Sequence, residues 1–193
     1  MKLRLYIGQL EKLRQLVKPE EGNAFSFLGY SLNLETAGIR DKLAADGLCS
    51  AGDVQVLNVL LTHFSSANPV PRTGNLVKFK DLPGGYAYER AFLQRVVQPI
   101  AEVFGEKPTE LVAAAQLLKG VPLNHGDISV EIPAIEGIPI VYILWASKEF
   151  SATASVLFDG SAVHYLPTED LAVLAELTTR RLKKARAVIS SKT

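Results

Sequence analysis

The sequence predicts an α+β fold, a mostly antiparallel sheet packed by helices, with a long helix at the C-terminus. Three observations carry that reading. Ile138 to Trp145 is almost wholly apolar, the pattern of a strand buried on both faces in the middle of a sheet. Ile128, Val130 and Ile132 alternate with polar residues before it, and Ala154 to Phe158 reads as a third strand after it. Helical stripes lie mainly outside this block, as separate helices rather than as crossovers between strands.

The elements follow in order. Residues 1–18 fit two periods: Leu3, Leu5 and Ile7 alternate like a strand, while Leu3, Leu10, Leu13 and Val17 recur like a helix face. The polar run from Glu11 to Arg14 favours helix from about residue 9, and Pro19 ends it. Phe25 and Phe27 share one parity and Tyr30, Leu32 and Leu34 the other, so a turn at Leu28-Gly29 predicts a short hairpin. Residues 35–52 show no clean period and are expected to be mostly loop.

Val54, Leu57, Leu60, Leu61 and Phe64 mark an amphipathic helix, with Asp53 suited to its cap or first turn and Asn68-Pro69-Val70-Pro71 as its stop. Leu76 to Lys80 alternates as a short strand, and Pro83-Gly84-Gly85 turns the chain. Tyr88, Phe92, Val96, Ile100 and Val103 share one helical stripe, which Pro99 either kinks or restarts. Thr109 and Thr168 each follow a proline and precede carboxylates, so each is expected to cap a helix. The strand after the Glu136-Gly137 turn is expected to hold Trp145 in the core. Phe158 to Leu171 joins the last strand to the last helix and carries Asp159 and His164.

Composition sets further bounds. A chain of 193 residues, 48% hydrophobic and 21% charged, is enough for one domain, 1–193, with a buried core. A formal net charge of +1 gives no global field toward nucleic acid or acidic membranes. The basic run from Arg180 to Arg186 is explained by the negative end of a helix dipole, so no nucleic-acid partner is expected. No apolar run reaches the ~20 residues that cross a bilayer, so the expectation is no membrane and a cytoplasmic location. Cys49 is the only cysteine. It excludes an intramolecular disulfide, fits a reducing compartment, and cannot alone hold an iron–sulfur cluster, so no intrinsic cofactor is expected.

Candidate chemistry is sparse. The turn at Gly84 and Gly85 could offer backbone N–H groups to an anion, but lacks P-loop and dinucleotide spacing. As a turn that needs positive φ it is also fully explained. His125, Asp127, Asp159 and His164 could form a mixed nitrogen and oxygen site for a metal or ligand, if the fold brings them together. Asn124 to Asp127 also reads as turn chemistry. His63 is read as a packed or capping histidine, and Glu169 and Asp170 as first-turn carboxylates. A small-ligand site is expected where the Gly126-Asp127 turn, Asp159 and the Leu82 to Gly85 loop converge, with Asp127 and Asp159 within ~6 Å and repelling.

The order of landmarks carries a resemblance. An apolar helix ends near Thr62-His63-Phe64, followed by Gly74-Asn75-Leu76-Val77-Lys78-Phe79-Lys80-Asp81-Leu82-Pro83-Gly84-Gly85. Pro99, Phe104-Gly105, Gly126-Asp127, Trp145, Leu157-Phe158-Asp159 and Tyr165 to Leu171 come after it. Residues 54–182 resemble the prokaryotic family called domain of unknown function 3786, while 1–53 match it poorly. The resemblance implies no settled activity and no catalytic residues. It implies a neighbourhood of redox or corrinoid chemistry, because some members look joined to iron–sulfur cluster domains. The chain departs from the family at Ala146 to Ser151, where acidic residues are expected and a lysine stands. Two readings follow. The first is a non-enzymatic binding or accessory module beside a protein carrying an iron–sulfur or corrinoid cofactor. The second is a metal-dependent enzyme or metal-binding protein using His125, Asp127, Asp159 and His164. No pattern in the chain specifies an oligomeric state.

Overall fold

In the computed structural model, which describes residues 1–146 and 151–191, the chain builds two antiparallel sheets bridged by its last helix. Helix wins over strand near the N-terminus: α1 (Ile7–Leu16) buries Leu10 and Leu13. β1 (Ala24–Phe27) and β2 (Tyr30–Asn33) form the expected hairpin, with Leu28 and Gly29 at φ +48° and +75° in its turn. β3 (Ile39–Asp41) adds to β2, so part of the stretch expected to be loop is a strand. Three residues, buried, exposed and buried, are too few to display a period.

α2 (Ala51–Phe64) buries Leu57, Leu60, Leu61 and Phe64. Ser50 caps it, accepting from the Asp53 N–H at 3.0 Å, and Asp53 sits in the first turn beside the positive dipole end. β4 (Leu76–Lys78) follows, shorter than expected because Phe79 to Asp81 turns at once into a single 3₁₀ turn. A continuous helical run then passes through α3 (Glu89–Phe92), a π-type segment at Leu93–Val97, and α4 (Gln98–Phe104). The Gln98 N–H donates to Leu93 O, five residues back, just before Pro99. Proline lacks the N–H for a regular turn and its ring crowds the preceding one; the widened turn absorbs both. Pro99 therefore lies in the first turn of α4, close to the restart the sequence allowed.

α5 (Thr109–Leu117), β5 (Val121–Leu123), β6 (Ile128–Ile135), β7 (Ile138–Trp145), β8 (Thr153–Asp159) and α6 (Thr168–Ser190) complete the chain. The large sheet has the order β4-β8-β7-β6-β5, which puts β7 in the centre as expected. Its two faces differ. Ile140, Tyr142 and Leu144 are fully buried, and the Tyr142 hydroxyl reaches Ala175 O and Thr179 Oγ1 on α6, each at 3.3 Å. Trp145 lies on the opposite face with Val141 and Ile143 and is 41% exposed, contrary to expectation. It is the last residue of the strand, opposite the exposed Thr153, and its indole rests on Gly126 rather than under a helix.

Two expected caps are absent. Pro167 is the N-cap of α6 and Thr168 its first helical residue, with no side-chain cap bond; Pro108 and Thr109 repeat the arrangement on α5. Once threonine has entered the helical register, its hydroxyl no longer reaches the early N–H groups. The basic run of α6 turns inward. Arg180 pairs with Asp53, Arg181 and Lys184 with Asp41, and Arg186 with Glu110. Arg181 also donates to Leu28 O and lies 4.0 Å from the Tyr30 ring centroid, tying α6 to the small sheet. No helix among the described residues is long and apolar enough to cross a membrane.

Candidate functional site

The residues singled out from the sequence do not assemble into one site. Asp127 precedes Ile128, which pairs with Leu144; Asp159 follows Phe158, which pairs with Ile140. The two aspartates thus flank opposite ends of β7, about 20 Å apart along the strand at ~3.3 Å per residue. The expected repulsion between them does not arise. β4 carries the chain from Leu76, beside Asp159, toward Lys78, beside Leu157, before it reaches Leu82. The three turns therefore do not converge. A local pattern cannot say which end of a sheet a turn occupies when the partners are distant in sequence.

Each residue has a local role. Asp159 is fully buried and takes hydrogen bonds from the N–H and hydroxyl of Thr73, the N–H of Gly74, and the N–H and hydroxyl of Ser161. Burial opposes its charge, but the Ser161 and Thr73 donors outweigh it and hold the carboxyl well below the usual range. It clamps the segment entering β4 to the end of β8. Asp127 Oδ2 accepts from the Ala146 N–H at 2.9 Å, and His125, exposed, donates its N–H to Ser129 Oγ. Residues 147–150, in the stretch where the sequence departs from the family pattern, lie outside the described residues. Gly84 has φ +75°, and a Cβ on Gly85 would lie 2.0 Å from Phe79 O. The turn itself accounts for both glycines, Gly84 by its positive φ and Gly85 by the close approach of Phe79 O.

Another site forms at the end of α2. Phe64 stacks on Tyr165, with centroids 6.3 Å apart, and the Tyr165 hydroxyl donates to Val70 O. The Asn68 N–H donates to His164 O. These contacts fix the chain leaving α2 against the turn that enters α6. They place His63 over the first turn of α6, where Nδ1 meets Asp170 Oδ2 at 2.5 Å. The Asp170 side chain is 10% exposed and that of His63 51%. A carboxylate can only accept, so Nδ1 carries the proton, and among the described residues Nε2 has no hydrogen-bond partner. The dipole of α6 favours the carboxylate at that position.

His63 lines an open pocket of about 570 Å³. Thr62, Ser65, Ser66 and Ala67 continue its wall at the end of α2, Val163 to Pro167 close one side, and Gln9 and Lys12 of α1 the other. His164 belongs here, with His63 rather than with Asp159. Sequence reasoning explained His63 by packing and Asp170 by helix capping. They are 107 residues apart, and no local spacing announces their pairing. Among the described residues no group of three His, Cys, Asp or Glu could hold a metal ion.

A family model described as "Domain of unknown function (DUF3786)" matches residues 12–181. The match takes in the second half of α1 and the small sheet, so the family-like part is longer than the 54–182 expected from landmarks. No curated protein and no solved structure matches the chain. With most of its length covered, from α1 into α6, the chain belongs to the family of the domain of unknown function DUF3786.

Proposed function

We propose that this protein is a non-enzymatic binding module that takes a small polar ligand in the pocket between α1, the end of α2 and the start of α6. The observation that carries this reading is the Asp170–His63 pair. A buried carboxylate fixes the imidazole through Nδ1 and leaves Nε2 at the wall of a pocket that also holds His164 and Lys12. Orientation of an exposed imidazole by a buried partner is how proteins prepare a recognition group. The Ser65 hydroxyl donates to Thr62 O at 2.7 Å, engaged with the backbone rather than aimed at His63, which favours binding over nucleophilic chemistry.

The module acts as an accessory to a redox protein that carries an iron–sulfur or corrinoid cofactor, in the cytoplasm. Support for that partner class is the neighbourhood implied by the family resemblance. In this reading the chain holds no cluster itself: its one cysteine, Cys49, is buried, and burial pushes the thiol up, away from the thiolate that iron requires. The test of ligand binding is a thermal-shift and imidazole NMR screen of the purified chain against anionic, neutral and cationic metabolites. A saturable response at His63 or His164 is expected from one class. No saturable response from any class would overturn the binding reading.

A further inference from the structure

We infer that the ligand of this pocket is a small, multiply charged anion of the phosphate or polycarboxylate kind. The inference rests on the binding reading above and adds the sign and chemistry of what binds. Charge decides it. Among the described residues, those lining the pocket include Lys12, His63 and His164 and no aspartate or glutamate. Asp170, the carboxylate beside them, is buried behind His63 and committed to its Nδ1.

The other charged hollows differ; the one between Phe79 and Val156 sets Lys78 and Lys80 beside the carboxylate of Glu89. The groove between the small sheet and the β6–β7 hairpin sets Lys18, Arg72 and Lys119 against Glu20, Glu131 and Glu136. There Arg72 is held by both Glu131 oxygens and Lys119 by Glu20, so those cations are already neutralised. The hollow beside α4 is lined by Glu102 and Glu106 and, among the described residues, by no basic residue. The apolar groove between Phe92 and Val173 carries Glu169, Glu176 and Arg95. Of these hollows, judged on the described residues, the His63 pocket alone presents cationic and imidazole groups to solvent without a carboxylate in its lining.

The donor geometry fits an anion with several oxygens. Lys12 comes from α1, His63 and the Ser66 hydroxyl from the end of α2, and His164 from the turn before α6. Groups contributed by three separate elements line one pocket, an arrangement suited to an anion with several oxygens. His63 Nε2 accepts from a protonated phosphate oxygen or, when it carries a proton, donates to a charged one. The pocket volume, about 570 Å³, suits a metabolite rather than an inorganic ion alone.

The test titrates the full chain with pyrophosphate, citrate, glycerol and spermidine, read by calorimetry and by the imidazole resonances of His63 and His164. Saturable binding of pyrophosphate or citrate that shifts both imidazoles is expected, and the tighter of the two identifies the anion source. Lys12→Gln and His164→Gln, both at exposed positions, should each weaken that binding by about tenfold with an unchanged melting temperature. Saturable binding at these histidines by glycerol or spermidine instead would overturn the anion inference and leave the binding reading standing. Anion binding that both variants retain in full would overturn the assignment to this pocket. Failure of every probe, joined to failure of the wider metabolite screen, would remove both readings.

Discussion

Arg181 and Asp41 form a buried bidentate ion pair, Nη1 to Oδ2 at 2.8 Å and Nη2 to Oδ1 at 2.6 Å, which joins the last helix to the edge strand of the small sheet. Both side chains are almost wholly sealed from solvent, at 2% and 0% exposure. Leu28 O and the Tyr30 ring take the rest of the guanidinium, and Lys184 adds a third donor to Asp41. Arg181→Ala leaves a buried carboxylate with only Lys184 and the Leu43 N–H, so it should cost about 3–5 kcal/mol. Replacing both partners with apolar residues of similar volume should cost far less. Chemical denaturation of the two variants measures the difference, and similar losses would refute a charge-pair account.

The same pair predicts an acid limb. Burial alone would push Asp41 up, but bonds from Arg181, Lys184 and the Leu43 N–H outweigh it and hold its carboxyl at about 2. A carboxyl depressed on folding contributes stability that is fully present above its unfolded value, near 4. That contribution fades as pH falls from there toward 2. Stability should therefore drop steeply between about pH 4 and pH 2, and a variant lacking both Asp41 and Arg181 should show a shallower limb.

Asp159 should behave as a structural clamp and not as a ligand group. Its two oxygens hold Thr73, Gly74 and Ser161 in place. Asp159→Ala strands several buried donors and should destabilise by about 3 kcal/mol or more. Anion binding at the His63 pocket, measured below the variant's melting transition, should be unchanged. Selective loss of ligand from a normally stable variant would contradict this role.

The caps separate by a simple comparison. Ser50 accepts a bond from the Asp53 N–H, so Ser50→Ala should cost about 1 kcal/mol. Thr168 makes no capping bond, so Thr168→Ala should show no capping loss, only the effect of its missing buried methyl. A loss for Thr168→Val, which keeps the methyl and removes the hydroxyl, equal to that of Ser50→Ala in urea titrations would mean that Thr168 caps α6 in solution.

The two glycines of the turn after β4 should differ sharply. Nothing lies within 4 Å of a Cβ on Gly84, so alanine there meets only the strain of φ +75°, about 1 kcal/mol. A Cβ on Gly85 collides with Phe79 O, so Gly85→Ala must displace backbone under the stacked Phe79 and Phe92 rings. A markedly lower melting point for Gly85→Ala than for Gly84→Ala is expected. A reversed order would point to a role for Gly84 beyond the turn.

The sequence by itself determined the local elements and the centre of the large sheet. The apolar run from Ile138 marked β7, because a strand flanked on both sides must satisfy both edges and bury its length. The parity switch at Leu28-Gly29 marked the first hairpin, and the spacing of Leu57, Leu60, Leu61 and Phe64 marked α2, because periods of two and 3.6 are properties of adjacent residues. Tertiary structure alone decided the polar partnerships. Arg181 finds Asp41 across 140 residues, His63 finds Asp170 across 107, and Asp159 finds Thr73 across 86. A charged side chain announces its need for a partner but not which one, since the choice depends on where packed helices and strands deliver the backbone. Trp145 shows the same limit in an apolar residue. Its strand was legible, but its exposure depended on which face α6 covers and on where that cover ends.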